Sequence, residues 1–124
     1  MIYNKDYEVK FYQNSKDQSE PVLDYLKKIN FKHRAKIYKS IDFLKDNGGY
    51  LDEPYSRHIK GKIRELRINF ANNYYRIMYF CFKDRNIILL HIFLKRDNRT
   101  PVKEIKQATE HYCDVINNPE IYED

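Results

Sequence analysis

Two arginines lie in the middle of segments whose pattern is typical of β-strands. Arg67 falls within residues 63–70 and Arg76 within residues 74–82, where aliphatic or aromatic residues alternate with polar ones. A guanidinium in mid-strand is costly to bury without a partner. Two arginines on neighbouring strands of one sheet can bind a phosphate group through their charge and their paired N–H donors. The sequence therefore indicates a site for a phosphate-bearing ligand.

Side chains that could transfer protons lie on the next long strand, which is predicted over residues 87–94. Strict alternation gives this strand an aliphatic face and a mixed face. The aliphatic face comprises Ile88, Leu90, Ile92 and Leu94, and the mixed face comprises Leu89, His91, Phe93 and Lys95. If the aliphatic face packs against helices, the polar members of the mixed face join the two arginines on the opposite surface.

This combined set of side chains could cleave RNA without a metal ion, because the 2′-hydroxyl of RNA can itself be the nucleophile. A protein then has to accept that proton, protonate the leaving oxygen and stabilise negative charge on phosphorus. Lys95 or His91 could accept the proton, and Tyr74 or Phe93 could stack on a base. The residues predicted to be catalytic are Arg67, Arg76, His91 and Lys95.

A basic segment at residues 57–64 surrounds a glycine turn at Gly61 and could contact the RNA backbone. The residues predicted to bind RNA are Arg57, Lys60, Lys62, Arg64, Tyr74, Phe93 and Arg96. Structural interpretations of the same residues stay open. The two arginines could form ion pairs on the sheet surface, for example with Glu65, and the basic segment could be an ordinary solvated surface.

The composition is that of a folded protein of one domain spanning residues 1–124, with 42% hydrophobic and 33% charged residues. A formal net charge of +5 favours a polyanionic partner.

Cys81 and Cys113 lack metal-like spacing and are expected to be reduced thiols, so no metal and no cofactor is predicted. Neither a signal pattern nor an apolar run long enough to span a membrane is evident, and we expect a cytoplasmic protein.

The elements that must position these side chains are predicted in the order β-α-α-β-β-β-β-α, which is an α+β domain. Strands are predicted at residues 7–12, 56–59, 63–70, 74–82 and 87–94. Ser19 is predicted to cap the first helix, Gly48-Gly49 to end the second, and Thr100-Pro101 to begin the third. The short acidic tail from Asn117 is expected to fray.

We expect a curved antiparallel sheet with an N-terminal helical hairpin and a C-terminal helix, all packed on one face. Asn72-Asn73 is typical of a tight hairpin connection within this sheet. The other face would then be open, and Arg67 and Arg76 would project from it.

A series of motifs along the chain resembles the phage-derived branch of the RelE/HigB toxin superfamily, over about residues 7–112. The motifs are Glu53-Pro54-Tyr55, Glu65-Leu66-Arg67-Ile68, Tyr75-Arg76-Ile77, His91-Ile92-Phe93-Leu94-Lys95-Arg96, and Thr100-Pro101 with Glu104-Ile105 and Ala108. The series is specific in combination, although each motif alone is weak. One departure is Arg64, which stands where an aromatic residue is usual in this branch.

The resemblance implies a RelE-like fold and a toxin of a type II toxin–antitoxin system. Such a toxin is a ribosome-dependent mRNA endoribonuclease, and its partners are the ribosome, mRNA and a cognate helix-turn-helix antitoxin of HigA type. In that family Arg67 and Arg76 match phosphate-handling arginines, and Lys95 with Arg96 matches a basic pair. Two other functions stay open, namely a ParE-like inhibitor of DNA gyrase and a non-catalytic RNA-binding phage accessory module.

Overall fold

A computed structural model describes residues 7–83, 85–96 and 100–123. The predicted order of strands and helices is confirmed, with one additional 3₁₀-helix after the last α-helix. The elements are β1 (Glu8–Phe11), α1 (Pro21–Lys28), α2 (Phe31–Asp46), β2 (Ser56–Lys60), β3 (Ile63–Phe70), β4 (Asn73–Phe82), β5 (Asn86–Lys95), α3 (Val102–Asn117) and the 3₁₀-helix η1 (Pro119–Tyr122).

The strands form one five-stranded sheet in the order β1-β5-β4-β3-β2. Strands β2 to β5 pair antiparallel in chain order, and β1 pairs parallel to β5. The β3–β4 hairpin turns at Ala71 and Asn72, whose φ angles of 50° and 62° fit the primed turns that match the twist of antiparallel strands. The predicted fold class, an α+β protein with a curved and mostly antiparallel sheet, is confirmed.

Helices cover both faces of the sheet, so the prediction that all of them pack on one face is wrong. Helices α1 and α2 pack on one face through residues such as Leu26 and Ile41, against Ile77 of β4. Helix α3 packs on the other face through Ala108 and Val115, against apolar residues of β4 and β5. The arginines lie on the second face, at the N-terminal end of α3.

A β-bulge in β5 changes the predicted alternation of its side chains. Met78 pairs with His91 and Tyr79 pairs with Leu89, so Leu90 is an extra residue on β5. Leu90 lies in the same apolar cluster as Phe93, on the face that α3 covers, whereas Leu89 lies in the cluster beneath α1 and α2. The predicted faces are consequently wrong before the bulge and correct after it, where His91, Phe93 and Lys95 share the face of Arg76.

The helix ends differ from two of the three predictions. Pro21 is the first residue of α1 and Glu20 is its N-cap, while the Ser19 N–H donates to Asp17 instead of Ser19 capping the helix. Helix α3 starts after Pro101, and the Thr100 side chain bonds Glu65 rather than the helix backbone. Only α2 behaves as predicted, because Gly48 and Gly49 follow it with φ angles of 67° and 82°.

The chain after α3 packs on the sheet, and the expectation that it frays is wrong for the described residues up to 123. Tyr122 is 2% exposed. Its hydroxyl accepts from the Gln13 N–H at 2.7 Å and donates to the Gln13 carbonyl at 3.1 Å. Asp114 of α3 accepts hydrogen bonds from Tyr12 and Ser15 close by. These contacts hold α3 against the sheet, and with it the end of α3 that borders the arginines.

Candidate active site

Arg67 and Arg76 are direct neighbours across the β3–β4 ladder. Their Cα atoms are paired in register, and Arg76 is in turn paired with Phe93 of β5. Like charges directly opposite each other destabilise a sheet. This pairing therefore costs stability, and such costs are common at functional sites.

A buried carboxylate lies at the centre of these cations. Glu65 is completely buried, and its Oε1 atom lies 3.3 Å from Arg57 Nε and 4.0 Å from Arg76 Nε. Its Oε2 atom accepts a hydrogen bond of 2.9 Å from the Thr100 hydroxyl, which also accepts one from Arg57. Glu65 of β3 thus links Arg57 of β2, Arg76 of β4 and Thr100, which lies just before α3.

Lys95 adds a fourth positive charge to this group. It is 7% exposed, and desolvation lowers its pKa below the usual lysine value, while the charge of Glu65 partly opposes that shift. Arg57, Arg76 and Arg67 all lower the pKa of Lys95 further through repulsion. We call Arg57, Arg67, Arg76 and Lys95, with Glu65 between them, the cation cluster. The cluster therefore contains four basic side chains and one acidic side chain.

The two central arginines differ in how accessible they are. Arg76 is 3% exposed, and it donates to Asn69 Oδ1 and to the Tyr75 carbonyl at 2.9 Å each. Desolvation lowers the pKa of Arg76, and the charge of Arg67 adds to that shift. The Nε atoms of both arginines are buried and make no hydrogen bond within the described part of the chain, but the Arg67 side chain as a whole is only half-buried. Arg67 is therefore the arginine that a ligand can reach, and Arg76 lies behind it.

His91 lies beside the cluster, against the first turn of α3. Its Nε2–H donates to the Glu104 carboxylate at 2.7 Å, and its ring stacks near Phe93 at a centroid distance of 5.8 Å. His91 is partly exposed, and its Nδ1 is the nitrogen that remains for other chemistry. The site thus combines phosphate-binding charge, an amine with a lowered pKa and an imidazole oriented by a carboxylate.

A comparison with known families places this arrangement in context. A family model described as "Phage derived protein Gp49-like (DUF891)" matches residues 24–113, which is well over half of the chain. The chain belongs to the Gp49-like family. Gp49-like proteins are a family of RelE-like toxins, so membership indicates the toxin of a toxin–antitoxin module and implies an antitoxin partner. The sequence matches no curated protein.

The predicted RNA-binding residues of this Gp49-like protein are distributed over several surfaces. Arg57 joins the cation cluster. Arg64 lies on the opposite face of the sheet, where its guanidinium sits 4.5 Å from the Tyr50 ring centroid and donates to the Leu51 carbonyl. Lys60 and Lys62 are exposed on either side of the β2–β3 turn. The side chains of the basic segment therefore lie on both faces of the sheet and at the β2–β3 turn.

Of the two aromatic residues predicted to stack on a base, Tyr74 has the accessible ring. Tyr74 is 47% exposed, and its ring centroid lies 6.0 Å from the Arg76 guanidinium carbon. Phe93 is 6% exposed and packs in the apolar cluster beneath α3. Arg96 is exposed and lines a hollow beside Glu104. Tyr74 thus flanks the cluster, Phe93 forms part of its apolar floor, and Arg96 lies near Tyr25 of α1.

Two polar residues of the Gp49-like site were not predicted to be part of it. Glu65 and Thr100 form the hydrogen-bonded centre of the cluster, although the sequence suggested only a surface ion pair for Glu65 and a helix cap for Thr100. Strand alternation does place Glu65, Arg67 and Asn69 on one face, which is the signal that could have identified Glu65. The sequence carries no equivalent signal for Thr100, because its contact depends on tertiary structure.

Among residues 7–83, 85–96 and 100–123, no cluster of three or more His, Cys, Asp or Glu side chains could hold a metal ion. Over the same described ranges, no helix of this Gp49-like protein is both long and apolar enough to cross a membrane.

Proposed function

We propose that this protein is a HigB-type mRNA endoribonuclease that acts on ribosome-bound message and is neutralised by a cognate helix-turn-helix antitoxin of HigA type. The observation that supports the proposal is the register pairing of Arg67 and Arg76 beside Lys95, around a single shared carboxylate. A bound phosphodiester would offset the charge excess of this cluster. RelE-like family membership supports the same activity.

Arg67 binds the scissile phosphate in this proposal and stabilises the charge that develops on its oxygens. Arg76 is more deeply buried than Arg67, so it contributes its charge from the neighbouring strand position while Arg67 makes the first contact. Glu65 keeps Arg76 and Arg57 oriented around the same point. The preorganised positive charge lies in a poorly solvated site, where it is worth more than in water.

Lys95 accepts the 2′-hydroxyl proton, since desolvation increases the share of neutral amine at a given pH. The 2′-oxygen then attacks phosphorus, and the bond from phosphorus to the 5′-oxygen breaks. His91 gives a proton to that leaving oxygen from Nδ1 while Glu104 holds its Nε2–H. The products are a 2′,3′-cyclic phosphate and a 5′-hydroxyl. No external co-reactant is required.

The ribosome is expected to be needed for cleavage. In this proposal the cluster binds the scissile phosphate, and the ribosome holds the flexible RNA strand in line for attack. Purified protein should cut message on programmed ribosomes at least about 10²-fold faster than naked message of the same sequence, because positioning contributes strongly to rate. Primer extension on both substrates measures the difference.

Equal rates on naked and ribosome-bound message would contradict ribosome dependence and indicate a free ribonuclease.

The gyrase-inhibitor alternative gives a different result in cells. Brief expression would then stop DNA synthesis before protein synthesis, and pulse labelling of both would reveal that order.

The role of Lys95 predicts how cleavage depends on pH. A general base must be deprotonated and the general acid His91 must be protonated, so the rise that belongs to Lys95 is isolated in a His91→Gln protein, whose slower single-turnover rate should rise with pH below the pKa of Lys95 and level off above it. Desolvation lowers that pKa below the usual lysine value, so the rise falls on the acid side of that value. Rates on programmed ribosomes between about pH 6 and 9 should increase nearly tenfold per unit wherever the amine is mainly protonated.

The matched variant is Lys95→Arg, which keeps the positive charge but does not release a proton in this range. It should remove the pH-dependent rise and lower the rate, whereas Lys27→Arg, on exposed α1, should leave the profile unchanged. A profile that keeps its slope in Lys95→Arg would show that Lys95 is not the base.

A further inference from the structure

A groove between α2 and β3 opens directly beside the cation cluster. Its volume is about 410 Å³, and it runs along the part of β3 that extends past the β2 pairing. The lining residues that matter here are Lys36, Lys39, Phe43, Tyr55, Arg67 and Asn69. We call this feature the aromatic groove.

The charged side chains that line the aromatic groove among the described residues are all positive. Lys36, Lys39 and Arg67 line it, and none of the described residues that line it is acidic. A surface that combines clustered cations with no carboxylate favours a polyanion over a protein segment of mixed charge.

Two aromatic rings are exposed at the groove. Phe43 is 49% exposed and Tyr55 is 55% exposed, and their centroids lie 5.9 Å apart with the rings at 83°. Each ring is held by the other, so the pair is partly preorganised. Exposed aromatic rings beside cations are the combination that binds single-stranded nucleic acid, in which bases stack on rings and phosphates contact the positive side chains.

The groove and the cluster are physically continuous. Arg67 belongs to both, and its backbone N–H donates to the Tyr55 carbonyl at 2.8 Å. This bond fixes the backbone of Tyr55 beside the backbone of the arginine that binds the scissile phosphate in the proposed function. A strand with its phosphate at Arg67 can therefore place a neighbouring nucleotide in the groove.

We propose that the aromatic groove is a nucleotide subsite that binds the base adjacent to the cleavage point in single-stranded RNA. The base stacks on Phe43 or Tyr55, and Lys36 and Lys39 contact the next phosphate along the strand. This inference deepens the proposed function, because it assigns the flanking contacts of the same site. It predicts that the groove adds affinity for the strand with little preference for which base it binds.

The test is binding of a fluorescently labelled 2′-O-methyl hexanucleotide, which cannot be cleaved because its nucleophile is blocked. Phe43→Leu combined with Tyr55→Leu should weaken binding by about 5- to 100-fold in fluorescence anisotropy, the range expected for loss of one stacked base. Phe31→Leu is the matched control, since Phe31 is 65% exposed on the same helix but outside the groove. It should bind like the unmodified protein.

The lysines give a second and independent measurement. Lys36→Gln with Lys39→Gln should reduce the slope of log affinity against log salt by about 0.7, because both lysines contact one phosphate and each neutralised phosphate of a single strand contributes about 0.7. Lys27→Gln with Lys28→Gln removes two exposed charges at the end of α1 and should leave the slope unchanged.

The outcomes separate this inference from the proposed function. Unchanged hexanucleotide binding in both groove variants overturns the subsite, even if the protein cleaves message. Weaker binding by groove variants of a protein that never cleaves RNA supports the subsite and overturns the nuclease. Groove variants that bind RNA normally but lose a protein partner would show that the groove is a protein-docking surface, which also overturns the subsite.

Discussion

Arg67→Ala is expected to lower the rate of mRNA cleavage on programmed ribosomes by about 10²- to 10³-fold, the usual effect of removing one preorganised donor of transition-state stabilisation. Arg67 is half-buried, and its Nε makes no hydrogen bond within the described chain, so its removal leaves no buried partner unpaired there. It also relieves the repulsion from Arg76. Stability should therefore stay the same or rise while activity falls.

Single-turnover cleavage and urea unfolding of the same preparation measure both effects. Lys27→Ala is the control, because Lys27 is an exposed cation in the last turn of α1, outside the cluster. It should preserve rate and stability. An Arg67→Ala protein that is folded and cleaves within threefold of the unmodified rate would exclude Arg67 from the reaction.

Glu65→Gln is expected to destabilise the protein by about 3–5 kcal/mol, the cost typical of breaking a buried charge interaction by removing one partner. Glutamine has nearly the same shape and can still accept the Thr100 hydrogen bond. The negative charge that faces Arg57 and Arg76 is lost, and buried Arg76 then has only repulsive neighbours in the cluster. Urea unfolding measures the loss.

A double variant tests whether the charge itself is responsible. Arg57→Gln removes a cation whose side chain is 33% exposed, so the Glu65→Gln Arg57→Gln protein should be destabilised by less than the sum of the single variants. Glu53→Gln, at an exposed position, should change stability by no more than about 0.5 kcal/mol. Additive losses in the double variant would mean that packing, rather than charge, explains the effect of Glu65.

The secondary structure could be predicted well because its signals are local. Residues 63–70 were predicted as a strand and form β3 with the same bounds, since alternation of side chains marks a strand that is half-buried on each face. Gly48 and Gly49 ended α2 as expected, because a left-handed backbone favours glycine. Arg67 and Arg76 were likewise placed on one face correctly from alternation alone.

The features that could not be predicted depend on tertiary contacts. The extra residue Leu90 in β5 leaves no mark in an unbroken apolar run, so strict alternation failed there. The apolar stripe of α3 could pack on either face of the sheet. Only the tertiary structure shows that α3 covers the face opposite α1 and α2. For the same reason the sequence could not show that Arg76 is buried behind Arg67. The catalytic roles themselves stay predictions.

The bulge at Leu90 also constrains how this protein can change over evolutionary time. The extra residue shifts the alternation of side chains in the second half of β5 by one position, an offset relative to the first half. His91 and Lys95 therefore face the cation cluster, while Leu89 faces the helical hairpin. Substitutions along the strand preserve that offset. Loss of one residue would instead rotate every later side chain to the opposite face and direct the Lys95 amine into the apolar layer under α1 and α2. A deletion before the bulge would therefore displace the site residues of β5, whereas a substitution there leaves their direction unchanged.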